Sequence, residues 1–397
     1  MIKNKKRADG RYKSAVYLGE VEGKPQYKYV YASTARELEK KVEEVKLRLG
    51  KGLDVSAERD TFGYWIEKWL KVKKIEVSPG RYATYKARSK NLQRLADVEI
   101  TKLRLDDFQD LIVDYATEIN EKTGKPYAQK TLEDIKNAAS QILKLAIDSR
   151  VIDYNCAASV KIPKNARKGE TRRALTDEEQ KWIVSMPHRA QTAAMIMMLA
   201  GLRRGEMMAL TWQAIDLENA TIRVEKFVSL DEGRPEIKDY GKTDAATRTV
   251  YIPDALVNYL KNVPGNHFGF VVHKKNGSVM SGSSWREMWD SYLDDLNLKF
   301  ADWKNCAATK GKCPSKYEPD PLKKPFLIPR ITAHWLRHTF ITEMYLAGVD
   351  ILTAKEQAGH RDIETTMEIY THLDETYKKK NIEKYSERIN QKLISMG

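Results

Sequence analysis

His334-Trp335-Leu336-Arg337-His338, followed by Gly359-His360 and then Tyr370-Thr371-His372, is the stretch that decides how the chain is to be read. Four of the seven histidines lie in it, so the side chain best suited to holding or moving a proton near neutral pH is concentrated here. The spacing i, i+3, i+4 places His334, Arg337 and His338 on one face of a helix. Arg337 offers a planar fork of donors that matches two phosphate oxygens. His338 and His360 can donate hydrogen bonds or carry charge. No carboxylate belongs to the cluster, which suits an anion better than a cation. The phenol of Tyr370 is a candidate nucleophile. Arginine, histidines and a tyrosine together suggest attack on a phosphodiester without a metal. The competing reading makes His334 and His338 satisfied helix residues and Tyr370 a core residue, and the stretch alone does not separate the two.

The rest of the composition bears on the choice. With 69 Lys and Arg against 55 Asp and Glu, the net charge is +14, which favours a polyanionic partner. Nucleic acid fits better than a membrane surface, because the basic residues are spread over many segments and form no single amphipathic helix. No apolar run reaches about 18 residues, so no membrane span is expected. Met1–Arg7 is basic but is followed by no apolar stretch, so no secretory signal is expected. Three cysteines (Cys156, Cys306 and Cys313) are too few for a disulfide framework and fit a reducing, cytoplasmic setting. Cys306 and Cys313 lack two further ligands nearby, so neither a metal nor a cofactor is expected.

Residues 1–56 read as a small unit of two alternating strands, Arg11–Leu18 and Gln26–Tyr31, joined by the turn Glu22-Gly23-Lys24, then a helix capped by Thr34 with Glu37 at the capping-box position. The unit holds 14 Lys and Arg against 8 Asp and Glu, and a ribbon carrying Arg, Lys and Tyr fits a major groove. Residues 58–160 read as helical. Phe62, Trp65, Ile66, Trp69 and Leu70 form an apolar stripe. Ser78-Pro79-Gly80 breaks that helix. Further helices are expected over Tyr82–Leu95, Leu105–Ile119 and Thr131–Asp148, with Lys86, Arg88, Lys90 and Arg94 available to phosphates. Residues 161–174, rich in basic residues and poor in apolar ones, read as a linker.

A second large domain over 175–397 opens with the capping box Thr176-Asp-Glu-Glu179. The apolar helix Ala193–Ala200 stops at Gly201, and Arg203-Arg204-Gly205-Glu206 opens the next helix. Two arginines at that junction need an anion or a carboxylate to meet them. Ile222–Val224 reads as a strand. Glu236–Tyr240 and Arg248–Ile252 read as a hairpin with Lys242 at its tip. A helix is expected around Ser284–Leu296, an irregular Lys/Pro-rich stretch over Phe300–Phe326, and another helix over Glu364–Tyr370. The tail places Ile382, Tyr385, Ile389 and Leu393 on one helical face.

Gly201-Leu202-Arg203-Arg204-Gly205-Glu206, Lys242, His334-Trp-Leu-Arg337-His338, Gly359-His360 and Tyr370 resemble, in order and spacing, the motif set of the tyrosine recombinases, over about 170 residues. The whole layout is similar to the integrases of phages and conjugative transposons. The resemblance implies a multidomain, mainly α fold with small β-sheets. It has a strand-rich N-terminal arm-type DNA-binding domain (1–56), a helical core-binding domain (58–160), and a mixed α+β catalytic domain (175–397) ending in a tail helix. It implies that Arg203 and Arg337 clamp the scissile phosphate, that His334 and His360 hydrogen-bond its oxygens, and that Lys242 protonates the leaving 5′ oxygen. Tyr370 would form a 3′-phosphotyrosyl link, with Glu206 and His338 in support. Ala358 stands where leucine is usual before Gly-His, a packing change. Tyr377 is a rival nucleophile without the Thr-His context. The implied partners are double-stranded DNA, three further copies of the chain in a tetramer on DNA, and accessory DNA-bending or excision factors. Two other readings are a type IB topoisomerase and a catalytically silent DNA-binding protein. The missing Walker-type glycine loop agrees with rejoining that needs no nucleotide.

Two outcomes are expected from this chemistry. Covalent adduct formation on nicked DNA proceeds undiminished in EDTA, measured by denaturing electrophoresis; strict metal dependence would contradict it. DNA affinity falls steeply with salt, because phosphate contacts release counterions; a flat salt response would contradict a large DNA footprint.

Overall fold

The structure is a computed structural model. It describes residues 5–7, 9–21, 24–55, 60–121, 124–169, 173–230, 234–241, 247–265, 267–320, 322–360, 382–383, 385–387, 389–391 and 394. The chain divides into two compact units, Met1–Glu170 and Thr171–Gly397.

The first unit begins with an antiparallel sheet of β1 (Lys5–Lys6), β2 (Tyr12–Val21) and β3 (Lys24–Ala32), in that order. Alternation turns Val16, Val30 and Ala32 inward, where they meet Leu38, Val42 and Val45 of helix α1 (Ala35–Gly50) and Val55. Tyr17, Tyr27 and Tyr29 stay exposed, and the Lys13 ammonium lies 3.7 Å from the Tyr29 ring centre. Thr34 caps α1 by accepting the Glu37 N–H, while the Glu37 carboxylate accepts the Ser33 N–H.

Four helices follow: α2 (Phe62–Glu76), α3 (Pro79–Lys90), α4 (Leu105–Thr117) and α5 (Gln129–Asp148). Their centre is the face of α5 made by Leu132, Ile135, Ala138, Ala139, Ile142, Leu143 and Ala146, packed on Phe62, Trp65, Ile66 and Trp69. Ser78-Pro79-Gly80 does more than break a helix. Pro79 is the first residue of α3, where its fixed φ suits a helix start and its missing N–H costs nothing. Of the four cations expected to be available to phosphates, Lys86 and Lys90 are exposed. Arg88 pairs with Asp134 at 3.2 Å, and Arg94 forms a two-bond fork with Glu118 at 3.0 and 2.6 Å.

The stretch read as a linker is largely occupied. Ile162 and Ala166 pack on the helical core, the Gln109 amide bonds both polar backbone groups of Lys161, and Arg167 donates to the Pro126 carbonyl. Composition hid this, because two apolar residues, Ile162 and Ala166, and a few hydrogen bonds to backbone groups suffice to dock a polar segment.

In the second unit the cap expected at Thr176 is present. It opens α6 (Asp177–Ser185) with both capping-box bonds. Helix α7 (Gln191–Ala200) is buried on nearly every side and forms the centre of the core. After it come α8 (Arg204–Ala209), β4 (Ile215–Asp216), β5 (Thr221–Val224), β6 (Lys226–Ser229), β7 (Glu236–Asp239) and β8 (Arg248–Tyr251). Helices α9 (Asp254–Lys261), α10 (Gly282–Phe300), α11 (Ala333–Leu346) and α12 (Ile351–Ala358) follow. Helix α9 had no counterpart in the sequence reading.

Among the described residues β7 and β8 do not pair as the expected hairpin. Strand β7 pairs with β6, whereas β8 pairs with β5 in a β4-β5-β8 sheet. Two apolar stretches separated by a polar one look alike whether they pair together or each pairs with an earlier strand. The irregular segment before α11 returns to the core through the buried Asn297, whose side chain accepts from Leu327 and Ile328 and donates to the Pro325 carbonyl. Among the described residues no helix is long and apolar enough to cross a membrane. The helix expected over Glu364–Tyr370 and the tail residue Leu393 lie outside the described residues, and Ile382 and Tyr385 of the tail are exposed.

Ile142, fully buried on α5, tests the first unit. Ile142→Ala is expected to destabilise it by about 2–5 kcal/mol, read from urea unfolding; a change within about 0.5 kcal/mol, the range of surface substitutions, would contradict the packing described.

Candidate active site

The centre of the second unit is a carboxylate with five donors. Glu206, on the first turn of α8, is excluded from solvent. Its Oε1 accepts from Arg203 at 2.6 Å, Arg248 at 3.1 Å and the Tyr240 hydroxyl at 3.2 Å. Its Oε2 accepts from the Arg203 backbone at 2.8 Å and from Arg248 at 3.0 Å. The carboxylate that the sequence calls for after Gly201 is Glu206, which meets Arg203 three residues before it; Arg204 is exposed and lines the cleft described below.

Burial drives the Glu206 carboxyl upward, but the Arg248 and Arg203 guanidiniums overcome it and hold the group at about 2. Burial and the Glu206 charge raise the Tyr240 phenol to about 12, so it remains a donor.

The second arginine is held differently. Arg337, buried on α11, donates to the Gly201 carbonyl at 2.5 Å and to the Ala358 carbonyl. Arg203 likewise donates to the Gly359 carbonyl. These oxygens lie at the C-terminal ends of α7 and α12, where unpaired carbonyls carry partial negative charge. Two left-handed glycines make this possible: Gly201 (φ 67°) ends α7 and Gly359 (φ 65°) ends α12. A Cβ would lie 2.2 Å from the Phe340 ring at Gly201 and 2.8 Å from the Arg248 guanidinium at Gly359.

Burial, and next the charge of Arg203, lower the Arg337 guanidinium to about 9, which leaves it charged at neutral pH. Burial, then Arg337, Arg203 and Arg248, lower the His360 imidazole to about 3. His360 is therefore neutral in the working range, and its contribution to an anion is a hydrogen bond rather than a charge.

Beside this network opens a cleft of about 910 Å³, lined by Arg203, His334, Arg337 and His360 together with Arg204, Arg286, Arg330, Trp285, Trp289 and Asp290. Five arginines face it against one carboxylate, so it suits an anion. Of Arg203, His334, Arg337 and His360, His334 is the exposed one, on the first turn of α11, whose N-cap Thr332 accepts the Trp335 N–H. Residues 201–206, 334–337 and 360, far apart in sequence, are thus brought to one place.

His338 is not among the residues lining the cleft, although it follows Arg337 on α11. Lys242 and Tyr370 lie outside the described residues. The ends of the segment carrying Lys242 do lie within them. Tyr240 reaches Glu206, Arg248 reaches Glu206, and Thr247 donates to the Gly241 carbonyl at 3.4 Å.

Arg248 was missed as a site residue, because an arginine opening a strand reads as solvated, and nothing local signals a partner 42 residues away. Arg286, exposed on α10, and Arg330, exposed before α11, were not singled out either, because nothing local in the sequence places them on a cleft.

A model of the phage integrase family matches residues 168–376. A tyrosine recombinase XerC-like protein of Caldanaerobacter subterraneus subsp. tengcongensis is 26% identical over 91% of this chain and 92% of its own length. The ICEBs1 integrase of Bacillus subtilis is 25% identical over 62% of each chain. Among solved structures, the Tn1549 transposon integrase in complex with a circular intermediate DNA aligns with a TM-score of 0.63 and 19% identity, covering 82% of this chain and 99% of that one.

A depressed acid contributes stability that is present above its ordinary value of 4.5 and is lost as pH falls toward 2. The Glu206 share of that loss is about 3 kcal/mol. Urea unfolding of Glu206→Gln should show a slope between pH 4.5 and 2 that is shallower than wild type by this amount; equal slopes would contradict the assignment.

Proposed function

Since the chain belongs to the phage integrase family, we propose that its cleft takes the scissile phosphate of a DNA strand and that Tyr370 is the nucleophile. The protein is a site-specific DNA recombinase that cuts and rejoins double-stranded DNA to integrate and excise a mobile element. The observation that carries the site assignment is the gathering of Arg203, His334, Arg337 and His360 on one cleft.

In this reading Arg203 and Arg337 supply the positive charge that meets the charge developing on the non-bridging oxygens. They are held in advance by Glu206 and by helix-end carbonyls, so little reorganisation is needed when the phosphate arrives. His334 and His360 add hydrogen bonds, His360 from a neutral ring. The Tyr370 oxygen attacks phosphorus, its phenolic proton passing to solvent, and the P–O5′ bond breaks. The phosphate is then joined to tyrosine at the 3′ side, and Lys242 gives the leaving 5′ oxygen its proton. The phosphodiester energy is kept in the phosphotyrosyl bond, so a 5′ hydroxyl from another strand reseals the backbone by the reverse path without ATP. Two guanidiniums and an ammonium provide what a metal would otherwise provide.

The remaining assignments are part of the same proposal. Residues 1–56 form an arm-type DNA-binding domain, supported by the Lys13–Tyr29 surface of the sheet. Residues 58–160 form a core-binding domain, with exposed Lys86 and Lys90 as phosphate contacts. The catalytic domain spans 175–397. Recombination joins four strands, so the working form is a tetramer on DNA, and the exposed Ile382 and Tyr385 of the tail supply part of the contact between copies. The protein works in the cytoplasm, on the host nucleoid.

Tyr370→Phe should bind a nicked duplex carrying the element ends as wild type does and yield no covalent adduct. An adduct of normal yield from this variant would remove Tyr370 as nucleophile. Deleting residues 381–397 should reduce tetramer formation, followed by analytical ultracentrifugation on DNA, more than it reduces DNA affinity. Equal losses in both would assign the tail to DNA contact instead.

A further inference from the structure

Arg248 is the most buried cation beside the cleft that the reaction as described does not use, its side chain 3% exposed. Placing a guanidinium there requires compensation on every side. The compensation is specific. One edge forks onto both oxygens of Glu206 at 3.1 and 3.0 Å. Nε donates to the Gln357 carbonyl at 2.9 Å. Gln357 in turn closes the free edge of β8, its side-chain oxygen accepting the Tyr251 N–H at 2.8 Å. One side chain therefore joins three parts of the site: α8 through Glu206, the end of α12 that leads into Gly359 and His360, and the strand into which the Lys242 segment feeds.

The carboxylate it holds is shared with Arg203, which binds Glu206 through both side chain and backbone. Without Arg248, Glu206 would lose two of its five hydrogen bonds and one of its two charged partners. The Tyr240 hydroxyl and Arg203 would hold it alone, and the Arg203 guanidinium would be less firmly fixed at the cleft.

We propose that Arg248 is a positioning residue of the cleavage reaction. Through Glu206 it fixes the Arg203 guanidinium where the scissile phosphate is met, and through Gln357 it fixes the end of α12 that carries His360. The proposal rests on the phosphate-cleaving reading of the cleft.

The test separates positioning of Arg203 from a general loss of structure. Rates of covalent adduct formation are measured for wild type, Arg248→Met and Arg248→Lys on the nicked duplex that wild type cleaves. The scissile position is either a normal phosphodiester or a methylphosphonate, in which a methyl group replaces one charged oxygen. A neutral phosphorus centre no longer calls for a correctly placed guanidinium.

On the phosphodiester, Arg248→Met is expected to be slower by about 10–100-fold, the size of effect typical of residues that orient a reacting group, with DNA affinity unchanged. Arg248→Lys should fall between it and wild type. On the methylphosphonate the gap between variants and wild type should close. A rate unchanged on the phosphodiester, or a deficit equal on both substrates, would overturn the proposal. Should Arg248→Met fail to fold by its thermal transition, the same comparison of Arg248→Lys with wild type decides the matter. Absence of any adduct from wild type would overturn the phosphate-cleaving reading itself, a result distinct from the other two.

Discussion

A single buried carboxylate organises the second unit. Glu206 must remain ionised inside protein, and it does so because two guanidiniums and a phenol surround it. The arrangement leaves a surplus of positive charge: Arg203, Arg248 and Arg337 stand against one negative group. A buried excess of that kind is costly, and it is tolerated here through main-chain carbonyls at the ends of α7 and α12. In the proposed reaction the surplus is also the useful feature. A cleft already carrying unneutralised charge gains more from an incoming phosphate than one whose charges are internally balanced, and its dipoles need not reorient to receive it.

The same charges set the state of the histidine. His360 stands among three guanidiniums, so protonation there would add a further buried positive charge. The ring stays neutral, and in the proposed reaction its part is that of a hydrogen-bond donor whose strength is insensitive to pH over the physiological range. Charge and hydrogen bonding at the cleft are thus assigned to different residue types by their surroundings, not by their ordinary titration.

Much of this could be read in the chain itself, and the reasons are local. The i, i+3, i+4 spacing of His334, Arg337 and His338 is a property of one helix. Gly201 reads as a helix stop, and a left-handed residue is what stands there. Thr176 and Glu179 announce a cap three residues apart. The resemblance to tyrosine recombinases rested on such short motifs in order. What escaped was non-local. Strand β7 pairs back to β6 and not forward to β8, and no periodicity distinguishes the two. Arg248 and Gln357 look like ordinary surface residues until β8 and α12 are side by side. The docking of Ile162 and Ala166 depends on a groove supplied by other helices. On α11, spacing put His334, Arg337 and His338 on one face; His334 and Arg337 line the cleft and His338 does not, since a helical face is wider than the cleft it borders.

The central claim is that this cleft holds the phosphate at which the strand is broken. The most direct measurement is a crystal structure of the covalent complex trapped on a nicked duplex. The account predicts a 3′ phosphate bonded to the Tyr370 oxygen, with Arg203, Arg337 and His360 within hydrogen-bond distance of its non-bridging oxygens. A phosphate bonded to another side chain, or one lying outside the reach of Arg203 and Arg337, would contradict it.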